Sequence, residues 1–397
     1  MMSTYTLDGA LRRSRGVVRV FVPVIFVIAL LITGAMTLPG LKPGMGEFDH
    51  HYAAVPALPT SYVAGVAATP IPASNDLVQV TIRDLSTLAQ ALPPEAIIGS
   101  GRTYHLLQPV LISQGARVDI AGGGTLVLDN GSYLEVGPGG KLSLSNLTIT
   151  ATGPSSNRGF LADVGSLMIL NRDRLIGLGR FATNTRGVSF EAAQTGSGLT
   201  NSYVRDGADG VFATLSPGIL IVGNDIEASR LDGIQIQGRT RNPVVVGNHV
   251  VGSGGDGIAL SSGIVEATLI SNNVVDSTRY GILISATSGP LSLERNTVSN
   301  SYDGIVCDNA QAVTVHGNWI DHAQRFGIRL SGQTRGVTIG SNHVTQSAVG
   351  VYASRGPSGN LIVDSQFDEN GENVRIRTSA PHNVVIPHPL HSELRSP

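Results

Sequence analysis

Three aspartates at near-equal intervals carry the first chemical suggestion in this chain. Asp209, Asp232 and Asp256 each stand directly before a glycine, and Asp303 repeats the pattern further on. If equal spacing stacks them, neighbouring carboxylates could share acid–base work on a glycan or hold a cation such as calcium. Asp-Gly is also plain turn chemistry ahead of a strand. Other groups cluster nearby. Arg205, Arg230, Arg239 and Arg241 could pair with the aspartates or grip an anionic sugar. Phe212 and Tyr280 could stack on sugar rings in a chain that is only 5% aromatic. Gln235 and Gln237 offer amide hydrogen bonds, and His249 could serve as a base. The expected catalytic set is Asp232, Tyr280 and His249. The expected binding set is Phe212, Gln235, Gln237, Arg239, Arg241, Asp209 and Asp256. No metal site and no cofactor are assigned.

A repeat must position these residues. Asparagines recur at 201, 224, 248, 272, 296, 318 and 342, in steps of 22 to 24. Glycines 187, 210, 233, 257, 281, 304, 327 and 350 keep the same step. Past each glycine, apolar residues at the first and third places (Ile234/Ile236, Ile258/Leu260, Ile282/Ile284) flank a variable one, which is strand alternation. A second strand precedes each asparagine. Fixed periods of this length belong to solenoids, so the chain reads as an all-β, right-handed, single-stranded parallel β-helix with coils of about 23 residues. The asparagines should stack as an amide ladder. Cys307 falls in the inward row and reads as core. Leu85, Leu88 and Leu92 predict a short amphipathic helix over the N-terminal end of the stack. Register places Phe212, Gln235, Gln237, Asp232 and Arg239 on one exposed shallow groove.

The rest of the chain is less regular. Residues 1–16 read as a cytoplasmic N-terminus and 17–38 as a transmembrane signal-anchor: Val20 to Leu38 carry no charge and follow Arg12, Arg13, Arg15 and Arg19. The bulk of the chain then faces outward, single-pass in the cell membrane. The alternative is secretion after cleavage near Thr33-Gly34-Ala35. Residues 39–76 read as a Pro-rich linker whose His50 and His51 are solvated, 77–386 as the β-helix, and 387–397 as a loose tail. Net charge is −2, which gives no general pull toward nucleic acid, and one cysteine excludes a disulfide framework.

The blocks from about Leu85 to Gly350 resemble the mannuronan C5-epimerase β-helices, within the pectate-lyase-like superfold. The resemblance runs through Leu92-Pro93-Pro94-Glu95-Ala96, Gly115-Ala116-Arg117-Val118, Gly165-Ser166-Leu167, Leu178-Gly179, Arg186-Gly187-Val188-Ser189-Phe190 and Asp209-Gly210-Val211-Phe212. It implies an extracellular polysaccharide partner, of polyuronate type, and C5 epimerisation or the related lyase chemistry. One coil departs from the family. The epimerases read Tyr-Gly-x-Asp-Pro-His there, whereas this chain has Gln235, Ile236 and Gln237 in place of Asp, Pro and His. Glutamine cannot act as a useful base. Where the family carries a basic residue, Gly254-Gly255-Asp256-Gly257 is acidic and would repel a uronate. The expected function is therefore polysaccharide binding, or action through an altered site with slow or absent turnover. The alternatives are an active lyase or hydrolase using the aspartate stripe, and a non-enzymatic cell-surface scaffold.

Overall fold

The structure, a computed structural model, describes residues 69–71, 81–129, 131–153, 159–179, 186–377, 380 and 382–386. The expected membrane anchor and tail lie outside these residues. Among the described residues no helix is long and apolar enough to cross a membrane.

The repeat folds as its period dictates. Among the described residues the chain winds through three sheets of 13 strands each, and each inner coil contributes one strand to every sheet. In one coil, Ile234–Gln237 lies in sheet A, Val244–Val246 in sheet B and His249–Val251 in sheet C, after which the chain returns to sheet A at Ile258–Ser261. The stacking is parallel and in register: Ile234 sits on Ile258 and Ile258 on Ile282. One antiparallel pair, Ile97–Ser100 with Thr103–Leu106, starts sheet C. The stack begins earlier than the sequence suggested, because Thr69–Ile71, inside the expected linker, pairs with Val110–Ile112. Helix α1, Leu85–Ala91, is capped by Asp84, whose carboxylate accepts the Thr87 N–H at 2.7 Å. Leu85, Leu88 and Leu92 join the end of the core.

The core is continuous from Ile82 to Ala380 and includes Cys307, whose thiol burial pushes up to about 12. The asparagine ladder forms between sheets B and C. Asn224, Asn248, Asn272, Asn296 and Asn318 each donate an amide N–H to the next Oδ1 at 2.9 to 3.0 Å. Each of those oxygens also accepts a backbone N–H from the coil before it, as Asn272 Oδ1 does from Asn248 at 3.1 Å. Asn201 is not a rung. It is exposed with φ +50, and Ser202 takes the ladder place by donating its N–H to Asn224 Oδ1 at 3.0 Å. The glycine row owes its identity to space. A Cβ on Gly257 would meet Val274 Cγ1 at 2.2 Å and the Gly281 carbonyl at 2.6 Å, and Gly233 is equally crowded. The chain turns there against the sheet C valines, and no side chain fits.

Candidate functional site

The aspartates stack, but they do so as buried supports. Asp209, Asp232 and Asp256 occupy one column on successive coils where sheet C turns into sheet A, and Tyr280 and then Asp303 continue it. Asp209 Oδ1 accepts the Asp232 N–H at 3.1 Å, Asp232 Oδ1 accepts that of Asp256 at 2.7 Å, and Asp256 Oδ1 accepts that of Tyr280 at 3.2 Å. Each carboxylate thus satisfies a backbone donor one coil along, which explains why a short acceptor side chain stands before the glycine.

Arginines cover the column. Arg186 Nη1 donates to Asp209 Oδ2 at 3.0 Å. Arg279 Nε donates to Asp256 Oδ1 at 2.8 Å and lies 4.0 Å from Asp232. Asp303 receives Arg325 at 3.1 and 3.0 Å and Arg329 at 2.8 Å. Asp232 is the odd member. Its side chain is 11% exposed, against 1% or less for Asp209, Asp256 and Asp303, and among the described residues the nearest arginine, Arg279, stands off at 4.0 Å. Gly255 makes room for it, since a Cβ there would fall 2.4 Å from its Oδ1. Burial, followed by repulsion from Asp256 and Asp209, pushes the Asp232 carboxyl up to about 7. Burial also raises Asp209 to about 6, with Arg186 opposing, and raises Asp256 against the pull of Arg279.

The expected groove is not where register placed it. The outward column of sheet A is in register, with Phe212 on Gln235, but Phe212 is buried beneath the Arg186 guanidinium at 4.5 Å. It offers no open ring. Gln235 is half-buried and accepts a hydrogen bond from Arg186 Nη1. Further along the column, Ala259, Leu283 and Val306 form a small apolar cluster with Tyr280 packed on it. Arg239 and Arg241 are exposed at the opposite end of the strand, in the turn toward sheet B, with Gln237 between them and the column. His249 opens a sheet C strand, where Asn273 Nδ2 meets its Nδ1 at 3.1 Å, so it does not join Asp232 and Tyr280. Arg205 and Arg230 lie by Asp206 instead of the stripe. The acidic Gly254–Gly257 stretch carries its own counter-charge in Arg279, which removes the expected repulsion of a uronate.

The residues missed from the sequence share one address. Arg279, Tyr302 and Arg325 stand two places before a row glycine on successive coils, along the rim of the aspartate column. Tyr302 is 40% exposed, and the Arg325 guanidinium lies 4.6 Å from its ring centre. Tyr280, half-buried, lies between the Arg279 and Arg329 guanidiniums at 5.4 and 5.1 Å. Counting back from each glycine would have found all three rim residues. A second carboxylate group, Glu135, Asp163 and Glu191, follows the earlier coils of sheet A. Burial, then repulsion from Asp163, raises Glu135 to about 7 and Glu191 to about 8. Among the described residues no three His, Cys, Asp or Glu side chains converge as a metal site requires.

Comparison with known proteins bears on the fold. A family model described as "Right handed beta helix region" matches residues 133–298, and one described as "Periplasmic copper-binding protein (NosD)" matches 264–385. Curated protein sequences give no match. Among solved structures, the periplasmic alginate epimerase AlgG superposes with a TM-score of 0.69 at 16% identity, over 77% of this chain and 84% of that one. The catalytic domain of a GH87 alpha-1,3-glucanase, in complex with nigerose, superposes with a TM-score of 0.51 at 12% identity, over 81% and 70%. At such identities the likeness is one of architecture. The chain therefore has the mannuronan C5-epimerase-like right-handed parallel β-helix fold.

Proposed function

We propose that the chain is an extracytoplasmic, polysaccharide-binding β-helix that takes an acidic glycan along the Arg279–Tyr302–Arg325 rim, with slow or absent turnover. The observation that carries this reading is the state of the carboxylates. Three of the four are sealed by arginines, Asp209 and Asp256 with a backbone donor as well, so Asp232 alone of the four meets solvent. Proton transfer at a sugar carbon needs a base and a donor on opposite faces, and one carboxyl in a column supplies a single partner. The rim suits the ligand in kind, with guanidiniums for carboxylates and an exposed tyrosine for a ring. The alginate epimerase and the glucanase with this fold support a polysaccharide as the ligand class, and the epimerase, being periplasmic, supports an extracytoplasmic location.

The site's charge gives the test. Four arginines face four aspartates, and as pH falls the Asp232 carboxyl takes a proton at about 7 and Asp209 follows at about 6, which leaves the site net positive. Calorimetry with oligomannuronate should show affinity falling several-fold between about pH 5.5 and about pH 8, with that dependence reduced in Asp232→Asn and confined to the range around about pH 6 where Asp209 titrates. Arg279→Ala and Tyr302→Ala should weaken binding at both pH values. No binding of any acidic or neutral oligosaccharide at millimolar concentration would leave a scaffold as the answer. One observation favours a second reading, an active lyase or hydrolase: a carboxyl at about 7 is matched to acid–base work near neutrality. NMR of C5 inversion and absorbance of unsaturated ends, run beside the calorimetry, decide between the two. Turnover abolished by Asp232→Asn would establish the second.

A further inference from the structure

A different sheet carries a second surface with the character of a sugar platform. Sheet C presents its outward side chains in register from coil to coil: His249, Asn273, Thr297, Trp319, His343 and Gln366. Trp319 is the chain's one tryptophan, and it is 47% exposed in the middle of this row. A large aromatic left open on a rigid sheet costs apolar exposure that folding does not require. The ring is also held in place. His343, one coil along, lies with its centroid 4.0 Å from Trp319 at a tilt of 55°, and its Nε2 is 2.7 Å from Asp368 Oδ2. The indole therefore packs against a neighbouring ring that itself lies beside Asp368.

The surroundings decide what could occupy it. Thr297 and Ser299 lie one coil before, and Thr345 follows beside His343. These short hydroxyls leave the strip flat and provide donors and acceptors at the rung spacing of about 4.8 Å. The strip carries no lysine or arginine in its outward columns from His249 to Asp368. Its charged groups there are the carboxylates Asp321, 2.7 Å from His322, and Asp368. Arg295, in the turn before Thr297, lies 3.6 Å from Glu294. Such a surface repels a uronate and suits an uncharged, flat chain of hexopyranose rings, one of which stacks on the indole while its hydroxyls meet the flanking side chains.

We propose that Trp319, seated on His343, is the anchor of a second glycan site on sheet C that takes a neutral, extended oligosaccharide. This site stands independently of the rim beside sheet A. The lone tryptophan makes the test direct, because intrinsic fluorescence reports on that position alone. Titration of the full chain with cellohexaose should quench and blue-shift the emission with saturation, and oligomannuronate should leave it unchanged. In calorimetry, Trp319→Ala should lose at least about tenfold in cellohexaose affinity. Trp319→Phe should retain part of it, with both variants keeping the wild-type far-ultraviolet spectrum and melting curve. Emission unaltered by cellohexaose up to about 10 mM, or altered only by oligomannuronate, would overturn the proposal.

Discussion

Replacing Asp232 by asparagine should make the protein more stable, and increasingly so as pH rises. The side chain is buried, lies between two like charges, and has its nearest guanidinium at 4.0 Å. Its carboxyl moves from an ordinary 3.8 to about 7 on folding. The folded state therefore binds the proton more tightly than the unfolded one. The stabilisation from that proton is complete below about pH 3.8 and is lost progressively as pH rises through about 7. At about 1.36 kcal/mol per pH unit, the full span is worth roughly 4 kcal/mol. Asparagine keeps the Oδ1 that accepts the Asp256 N–H and carries no charge at any pH. The variant should match wild type near pH 4 and exceed it by roughly 2–4 kcal/mol near pH 8, the lower end applying where Asp209 and Asp256 relax in compensation. Urea denaturation at the two pH values measures the difference. Because both proteins share every other titrating group, the comparison reports on Asp232 together with its coupling to Asp209 and Asp256. A stability gap that is flat with pH, or a variant weaker than wild type at pH 8, would refute the account of Asp232 as a proton-holding carboxyl.

Four further substitutions test the scaffold. Asn272→Ala removes the acceptor for two donors of Asn248 and the donor to the Val245 carbonyl and Asn296 Oδ1, so a loss of roughly 3–5 kcal/mol is expected; Asn201→Ala, off the ladder, should lose no more than about 1 kcal/mol in the same melts, from alanine at φ +50 and the single bond to Asn171 Oδ1. Gly257→Ala should cost roughly 2–3 kcal/mol or more by forcing Val274 and the next coil away, seen as a lowered urea midpoint. Ile258→Asp places an unpaired charge at a position with no solvent exposure and should unfold the middle of the stack, so that amide exchange speeds in the coils around it; wild-type exchange there would contradict the placement.

The architecture was legible because a solenoid writes its period into the chain. Steps of 22 to 24 between asparagines and between glycines, with apolar alternation after each glycine, specify coils, inward rows and stacked neighbours without any long-range information. Ile234 on Ile258, the asparagine ladder, the capping helix and the buried Cys307 all follow from that count. Asn201 escaped it because a shift of one residue is invisible to spacing alone, and the ladder place went to Ser202. The site was legible only in part. Register placed Phe212 beside Gln235 and brought the aspartates into one column, but alternation tells which way a side chain leaves the strand and nothing about what then covers it. Phe212 lies under Arg186, which starts 26 residues earlier in the chain. The partners of the carboxylates had the same origin: Arg186, Arg279, Arg325 and Arg329 reach them from one coil away, whereas the nearer-looking Arg205 and Arg230 turn aside. Long guanidinium arms choose among several acceptors at similar distance, and tertiary packing makes that choice. Which carboxyl stays open, and so which one holds a proton near neutrality, was likewise decided by Gly255 and by the reach of Arg279, once the coils had stacked.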